Sequence, residues 1–399
     1  MKLSLCMIVR DEAAALPRCL KSVQGVVDET IVVDTGSVDD TIAVAQSFSQ
    51  LLNVRVHQFT WCHDFSAARN YSLQYAQGEW ILILDADEIL QPEIVPALRQ
   101  VLQQPDALVV NLLRYEVGAA QAPYSLISRL FRRHPDIQFH RPYHELIDDR
   151  VLEILHRETH WQILELPGVA IHHTGYQAVA IAQRQKVDRA RRLMEGYLQT
   201  HPSDAYICNK LGALYADSGD LPKGLELLQR GLKAASIEPP VSYELHYHLG
   251  ETYRDLGNFD RAEQHFRAAT EQPVSLRLKL SAYTNWGSLR MDLNDPQSAK
   301  ILFEQAVAID PEFAIGHFNL GMALKSLGQL GAAIAHYQQA IHLNPTYAEA
   351  HQNLGVTLLK GGQVTASLDA FRRAIALYEQ QGSSEGDRLQ QGLQSMGLL

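Results

Sequence analysis

Hydrophobic and polar positions change their grammar about halfway along this chain of 399 residues. In the first half short β-branched runs alternate with helical stretches, and Leu3 to Val9, Glu29 to Asp34, Val54 to Phe59, Trp80 to Leu84 and Leu108 to Leu113 predict strands. Ile31-Val32-Val33 and Ile81-Leu82-Ile83-Leu84 are apolar at every position. Such runs suit burial on both faces, hence a mostly parallel sheet covered by helices. Ser37-Val38-Asp39-Asp40 after the second strand reads as a helix N-cap with an acidic partner three residues on. Beyond residue 205 the strand signal stops. A hydrophobic-Gly pair then recurs at Leu211-Gly212, Leu249-Gly250, Trp286-Gly287, Leu320-Gly321 and Leu354-Gly355, at spacings of 38, 37, 34 and 34 residues. Each pair is followed twelve residues later by a small residue and four further on by an aromatic or Leu.

The last two spacings equal the period of tetratricopeptide repeats. Two copies carry the rest of that pattern: Gly287, Ala299, Phe303, Ala306 and Pro311 in one, Gly321, Ala333, Tyr337, Ala340 and Pro345 in the next. Small residues let the two helices of a repeat approach, the aromatic packs onward, and the proline stops the second helix. The expected organisation is an α/β domain over 1–177, a linking helix over 178–204, five repeats over 205–381, and a cap or tail over 382–399.

Composition narrows the function classes. Apolar residues are 46% and charged residues 20%, as in globular proteins. A net charge of −10 disfavours nucleic acid and acidic bilayers. The longest apolar runs fall far short of a membrane span, and the opening residues lack the form of an export signal. Cys6, Cys19, Cys62 and Cys208 are scattered, as expected of reduced thiols. The expectation is a cytoplasmic protein without a transmembrane segment.

The candidate chemistry lies in acids. Asp85-Ala86-Asp87-Glu88 follows directly on an apolar strand, and the carboxyl ends of strands are where open α/β sheets bind ligands. Two carboxylates one residue apart suit a hard divalent cation, Mn²⁺ or Mg²⁺, and through it a diphosphate; the bland alternative is a solvated turn. Asp34-Thr35-Gly36-Ser37 ends the second strand, and Trp61-Cys62-His63-Asp64-Phe65-Ser66-Ala67-Ala68-Arg69-Asn70 leads into a helix. Neither G-x-G-x-x-G nor G-x-x-x-x-G-K-[ST] occurs, which excludes dehydrogenase and P-loop readings. A nucleotidyltransferase would want a glycine-rich loop after the first strand, where Val9-Arg10-Asp11-Glu12 stands.

Through LSLCMIVRDE, ETIVVDTGSVDDT, WCHDFSAARNYSL and WILILDADE, and more thinly to HHTGY at 172–176, the first half resembles family 2 glycosyltransferases of GT-A fold. The subgroup is the one related to bacteriocin peptide S-glycosyltransferases and to bacterial glycosyltransferases fused to tetratricopeptide repeats. The resemblance implies that Asp34 holds the nucleotide base, Arg69 the base or diphosphate, and Asp85 ribose and metal. It also implies Asp87 and His173 as metal ligands, with His172 the alternative to His173, and Glu145 of the His144-Glu145 pair as catalytic base. Ahead of that pair stand Arg141-Pro142-Tyr143, where relatives more usually carry glycine.

Each residue also has a plainer use. Asp34 could cap the helix expected from Ser37, Arg69 could pair with Asp64, and Glu145 with Arg141, while Asp148 and Asp149 rival Glu145. Arg129 and Arg132 read equally as diphosphate contacts or a solvated basic face. The implied activity is transfer of a sugar, with inversion, from a nucleoside diphosphate donor, UDP-sugar foremost, to a peptide or protein acceptor held by the repeats. The alternative is a tetratricopeptide adaptor whose first domain is inactive. A homodimer is left open, since repeat arrays either cap themselves or dimerise.

Overall fold

The computed structural model describes residues 2–119, 123–174 and 180–398. Gly175 and Tyr176 of the HHTGY run, and the first two residues of the linking segment, lie outside the described residues. The chain divides into two compact units, 1–218 and 219–399. That division falls inside the stretch that the sequence pattern reads as the first repeat.

The first unit is built on one sheet of eight strands: β1 (Leu3–Val9), β2 (Glu29–Asp34), β3 (Val54–Gln58), β4 (Trp80–Ile83), β5 (Glu88–Leu90), β6 (Ala107–Glu116), β7 (Tyr124–Arg132) and β8 (Gln162–His173). Their spatial order is β3-β2-β1-β4-β7-β6-β8-β5. The first four run parallel, whereas β7 is antiparallel to both β4 and β6, and β5 is antiparallel to β8. The sheet is therefore more mixed than the sequence pattern predicts. β1, β2 and β4 are buried on both faces, as their unbroken apolar runs require. Leu3, Leu5, Met7 and Leu82 pack on one side with the helix Leu16–Ser22. Cys6, Ile31, Ile81 and Ile83 pack on the other with Val151 and Ile154 of the helix Asp148–Arg157.

The expected N-cap at Ser37 is not found. The helix there runs Thr41–Ser47, three residues later than such a cap would start it, with no side-chain cap from Asp40. Ser37 Oγ accepts instead from Asp11 N–H (3.0 Å), Asp11 accepts from Val38 N–H (2.7 Å), and Thr41 Oγ1 accepts from Glu12 N–H (2.7 Å). Joining the loops after β1 and β2 satisfies more backbone donors than a local cap would.

The second unit is helical. Pairs Pro239–Asp255 with Phe259–Glu271, Leu280–Asp292 with Pro296–Ile309, Ala314–Ser326 with Leu330–Leu343, and Ala348–Lys360 with Val364–Gln380 follow one another. Their marker glycines are sites of close approach. A Cβ on Gly250, Gly287, Gly321 or Gly355 would stand 2.5–2.7 Å from the ring of Phe266, Phe303, Tyr337 or Phe371, sixteen residues on in each case. Among the described residues no helix is long and apolar enough to cross a membrane.

Candidate functional site

The acids gather where β4 ends, and they are not open. Asp85 Oδ1 accepts from Arg69 Nη2 (2.7 Å) and Oδ2 from Arg129 Nη1 (2.8 Å). Arg69 Nε donates to Glu145 Oε1 (2.5 Å), and its Nη1 is buried with no hydrogen-bond partner. In the other direction Arg129 reaches Glu88 Oε2 (3.3 Å), Arg114 Nη1 donates to Glu88 Oε1 (2.8 Å), and Arg114 Nε donates to Glu116 Oε1 (2.7 Å). Glu116 Oε2 meets His173 Nδ1 (2.6 Å), and His173 Nε2 meets Asp87 Oδ2 (3.2 Å). Nine side chains of alternating sign thus form one ladder from Glu145 to Asp87.

Electrostatics follow from this alternation. Burial alone would raise the Asp85 carboxyl, but Arg129 and Arg69 outweigh it and hold the group well below the usual carboxylate range. Burial would lower His173, yet its hydrogen bonds to Asp87 and Glu116 push it up to about 9. Asp148 is raised by burial; Ser128 donates to its Oδ1 (2.8 Å), and its Oδ2 is buried without a partner.

Local sequence explains several placements. Asp64 caps the helix Phe65–Leu73, accepting from Ala67 N–H (3.1 Å), so it does not pair with Arg69 one turn on. Strand alternation separates the two histidines: His173 faces Glu116 and Asp87, while the His172 ring lies 5.4 Å from that of Tyr115. Arg141 is held by Asp149 (2.8 Å) and Asp204 (2.8 Å), not by Glu145. Arg141 and His144 take left-handed backbone angles, φ 76° and 54°. These are conformations glycine adopts freely, so the turn persists here with side chains that must be held in place by their contacts.

Residues 4–164 match Glycosyl transferase family 2. Tetratricopeptide repeat families match residues 209–275, 280–313 and 302–335, and a TPR repeat family matches 322–362. A TPR repeat-containing protein of Synechococcus elongatus is 47% identical over the whole of this chain and 98% of its own length. The chain belongs to the family of that repeat-containing protein, and carries a Glycosyl transferase family 2 domain followed by tetratricopeptide repeats. The SPbeta prophage-derived glycosyltransferase SunS of Bacillus subtilis is 28% identical over 203 residues, half of this chain and 45% of SunS. The crystal structure of MamA aligns with a TM-score of 0.39 at 23% identity, covering 43% of this chain and 96% of MamA.

The six residues singled out from sequence, five inside the matched stretch 4–164 and His173 beyond it, fall into two settings. Arg69, Asp85, Glu145, Asp87 and His173 all belong to the ladder. Asp34 stands at the end of β2, 3% exposed, accepting from Gly36 N–H (3.0 Å) and Ser37 N–H (3.2 Å); it closes the turn after the strand and caps no helix, since the helix begins only at Thr41. Sequence reasoning named Glu88 in the acid run without giving it a role, set Arg129 aside, and missed Arg114 and Glu116. No spacing rule ties these to the Asp-x-Asp run; their meeting depends on strand register, in which His173 lies opposite Glu88 on one side and Glu116 on the other. Arg132, by contrast, is structural: it donates to Ala107 O (2.7 Å) and lies over the rings of Trp80 and Trp161.

Asp87 offers a carboxylate oxygen, the donor that suits Mn²⁺ or Mg²⁺, with the His173 imidazole beside it. Among the described residues no group of three or more His, Cys, Asp or Glu is placed to hold a metal ion, so these two stand alone as candidate ligands. Beside Glu145 the rings of Trp61, Phe65, Tyr143 and His144 run in contact, at centroid distances of 4.7, 5.5 and 4.8 Å.

Proposed function

We propose that the family 2 domain transfers a sugar, with inversion, from a nucleoside diphosphate donor, UDP-sugar foremost, to a peptide or protein acceptor presented by the repeats. The observation that carries this is Arg69, a buried cation shared by Asp85 and Glu145 with one nitrogen still unpartnered. A guanidinium with an unsatisfied buried donor has hydrogen-bonding capacity to give to a diphosphate. Asp87 and His173 would hold Mn²⁺ or Mg²⁺, which supplies charge neutralisation to the departing diphosphate. When Arg69 turns toward the diphosphate, Asp85 and Glu145 each lose a partner. Asp85 is then available to ribose and Glu145 to the acceptor. Glu145 takes the proton of the acceptor nucleophile as its electron pair attacks the anomeric carbon, and the bond to the diphosphate oxygen breaks with its pair leaving on that oxygen. The aromatic run beside Glu145 offers an apolar surface to the acceptor.

A second reading has its own observation: both Asp85 oxygens are occupied by arginines, as in a site that serves only the fold. One experiment separates the two. The purified protein is incubated with Mn²⁺ and a panel of UDP-, GDP- and dTDP-sugars, and nucleoside diphosphate release is measured beside Asp87→Ala. Release from one donor, lost in the variant, supports the transferase. If there is no release and calorimetry finds no binding of any nucleotide, the adaptor reading stands.

A further inference from the structure

His173 ends β8 with a neighbour on each side: Glu116, the last residue of β6, and Glu88, the first of β5. Its ring engages Glu116 through Nδ1 at 2.6 Å and faces Asp87 through Nε2 at 3.2 Å. Glu116 is itself pinned. Its Oε1 accepts from Arg114 Nε (2.7 Å) and from Ser125 Oγ (2.9 Å), which leaves Oε2 for the histidine. The Glu116 side chain is 9% exposed, so it stands behind the ring.

We propose that Glu116 is a positioning residue which fixes the N–H of His173 on Nδ1 and so turns the Nε2 lone pair toward a divalent cation shared with Asp87. This rests on the metal reading above and extends it to a residue outside the Asp-x-Asp run. A cation arriving at Nε2 displaces the proton held there, which goes to solvent; the imidazole then carries one N–H and one lone pair, and the bond made by one nitrogen decides which role the other takes. An ionised carboxylate can only accept, so the nitrogen facing Glu116 must be the donor. The 3.2 Å between Nε2 and Asp87 Oδ2 is close to the roughly 3 Å that separates adjacent ligands of an octahedral ion with bonds of about 2.1 Å. Strand alternation turns His172 toward Tyr115, so no second imidazole substitutes. Without Glu116 the ring is free to rotate and to offer either nitrogen.

The test is Mn²⁺ binding to the full-length chain, with and without UDP, read by electron paramagnetic resonance. Spin-echo modulation from a bound imidazole nitrogen serves as the second readout. Glu116→Ala should weaken Mn²⁺ about 10–100-fold and reduce the nitrogen modulation at saturation. Glu116→Gln keeps the volume, guards against misfolding, and should fall between the alanine variant and the parent. Unchanged affinity in both variants, while His173→Ala loses binding, would overturn the positioning role and leave the metal reading intact. Weaker binding with full nitrogen modulation at saturation would also overturn it, since that is the mark of charge alone. If His173→Ala binds Mn²⁺ like the parent, both this inference and the assignment of His173 as a ligand fail.

Discussion

Acid should loosen the repeat unit through paired histidines, and the size of the effect can be worked out. His246 on the helix Pro239–Asp255 and His265 on Phe259–Glu271 meet Nδ1 to Nδ1 at 2.9 Å. Their ring centres are 5.2 Å apart, the separation expected when two imidazoles meet nitrogen to nitrogen with one proton between them. A second proton would set two donors against each other. Burial, His246 and the nearby Arg261 together push His265 down to about 4 from an ordinary value of 6.5. The folded state thus resists a proton that the unfolded chain accepts, so the stabilising contribution is complete above pH 6.5 and is lost as pH falls through 4. A shift of that size corresponds to at most about 3 kcal/mol, and to about 2 kcal/mol at pH 5. His265 is partly exposed, and allowing for solvent screening leaves about 1 kcal/mol. Urea unfolding followed by circular dichroism at pH 7.5, 6 and 5 should show stability falling with pH in the parent. In His265→Gln the fall between pH 7.5 and 5 should be smaller by about 1 kcal/mol. Parallel pH curves for the two proteins would refute the reasoning. His317 and His336 repeat the arrangement at 3.0 Å, each 71 residues after its counterpart, so His336→Gln should act in the same direction. Glu304 favours the proton on His336 and reduces its share.

Three further outcomes follow from packing and charge. Arg69→Met should cost about 3–5 kcal/mol of unfolding free energy in a denaturant titration, because Asp85 and Glu145 lose a partner whose side chain is 4% exposed; a cost below about 1 kcal/mol would show the pairing to be dispensable. Gly321→Ala should destabilise by about 1–3 kcal/mol in the same assay, since its Cβ would meet Tyr337 at 2.7 Å, although alanine favours a helix elsewhere. Glu145→Gln should lower donor turnover by about 100-fold or more in steady-state kinetics with acceptor present, while UDP affinity stays within about twofold; unaltered turnover would move the base role to another carboxylate such as Asp148.

Features that depend on local pattern could be read directly along the chain. Four of the five predicted strands end within a residue of the observed bounds, and the longer β6 includes its prediction, because unbroken apolar runs have few other places to go. The marker glycines were legible for a similar reason, since a ring sixteen residues later demands a neighbour without a Cβ. Asp85 and Asp87 could be placed at a strand end from the chain alone. Tertiary structure decided which charges meet. β7 turns back antiparallel beside β4, which brings Arg129 onto Asp85, and the register of β8 between β6 and β5 brings His173 to Glu116 and Asp87. Register is a relation between strands distant in sequence, set by packing of whole faces, and a shift of one residue would turn each of these side chains to the opposite side of the sheet.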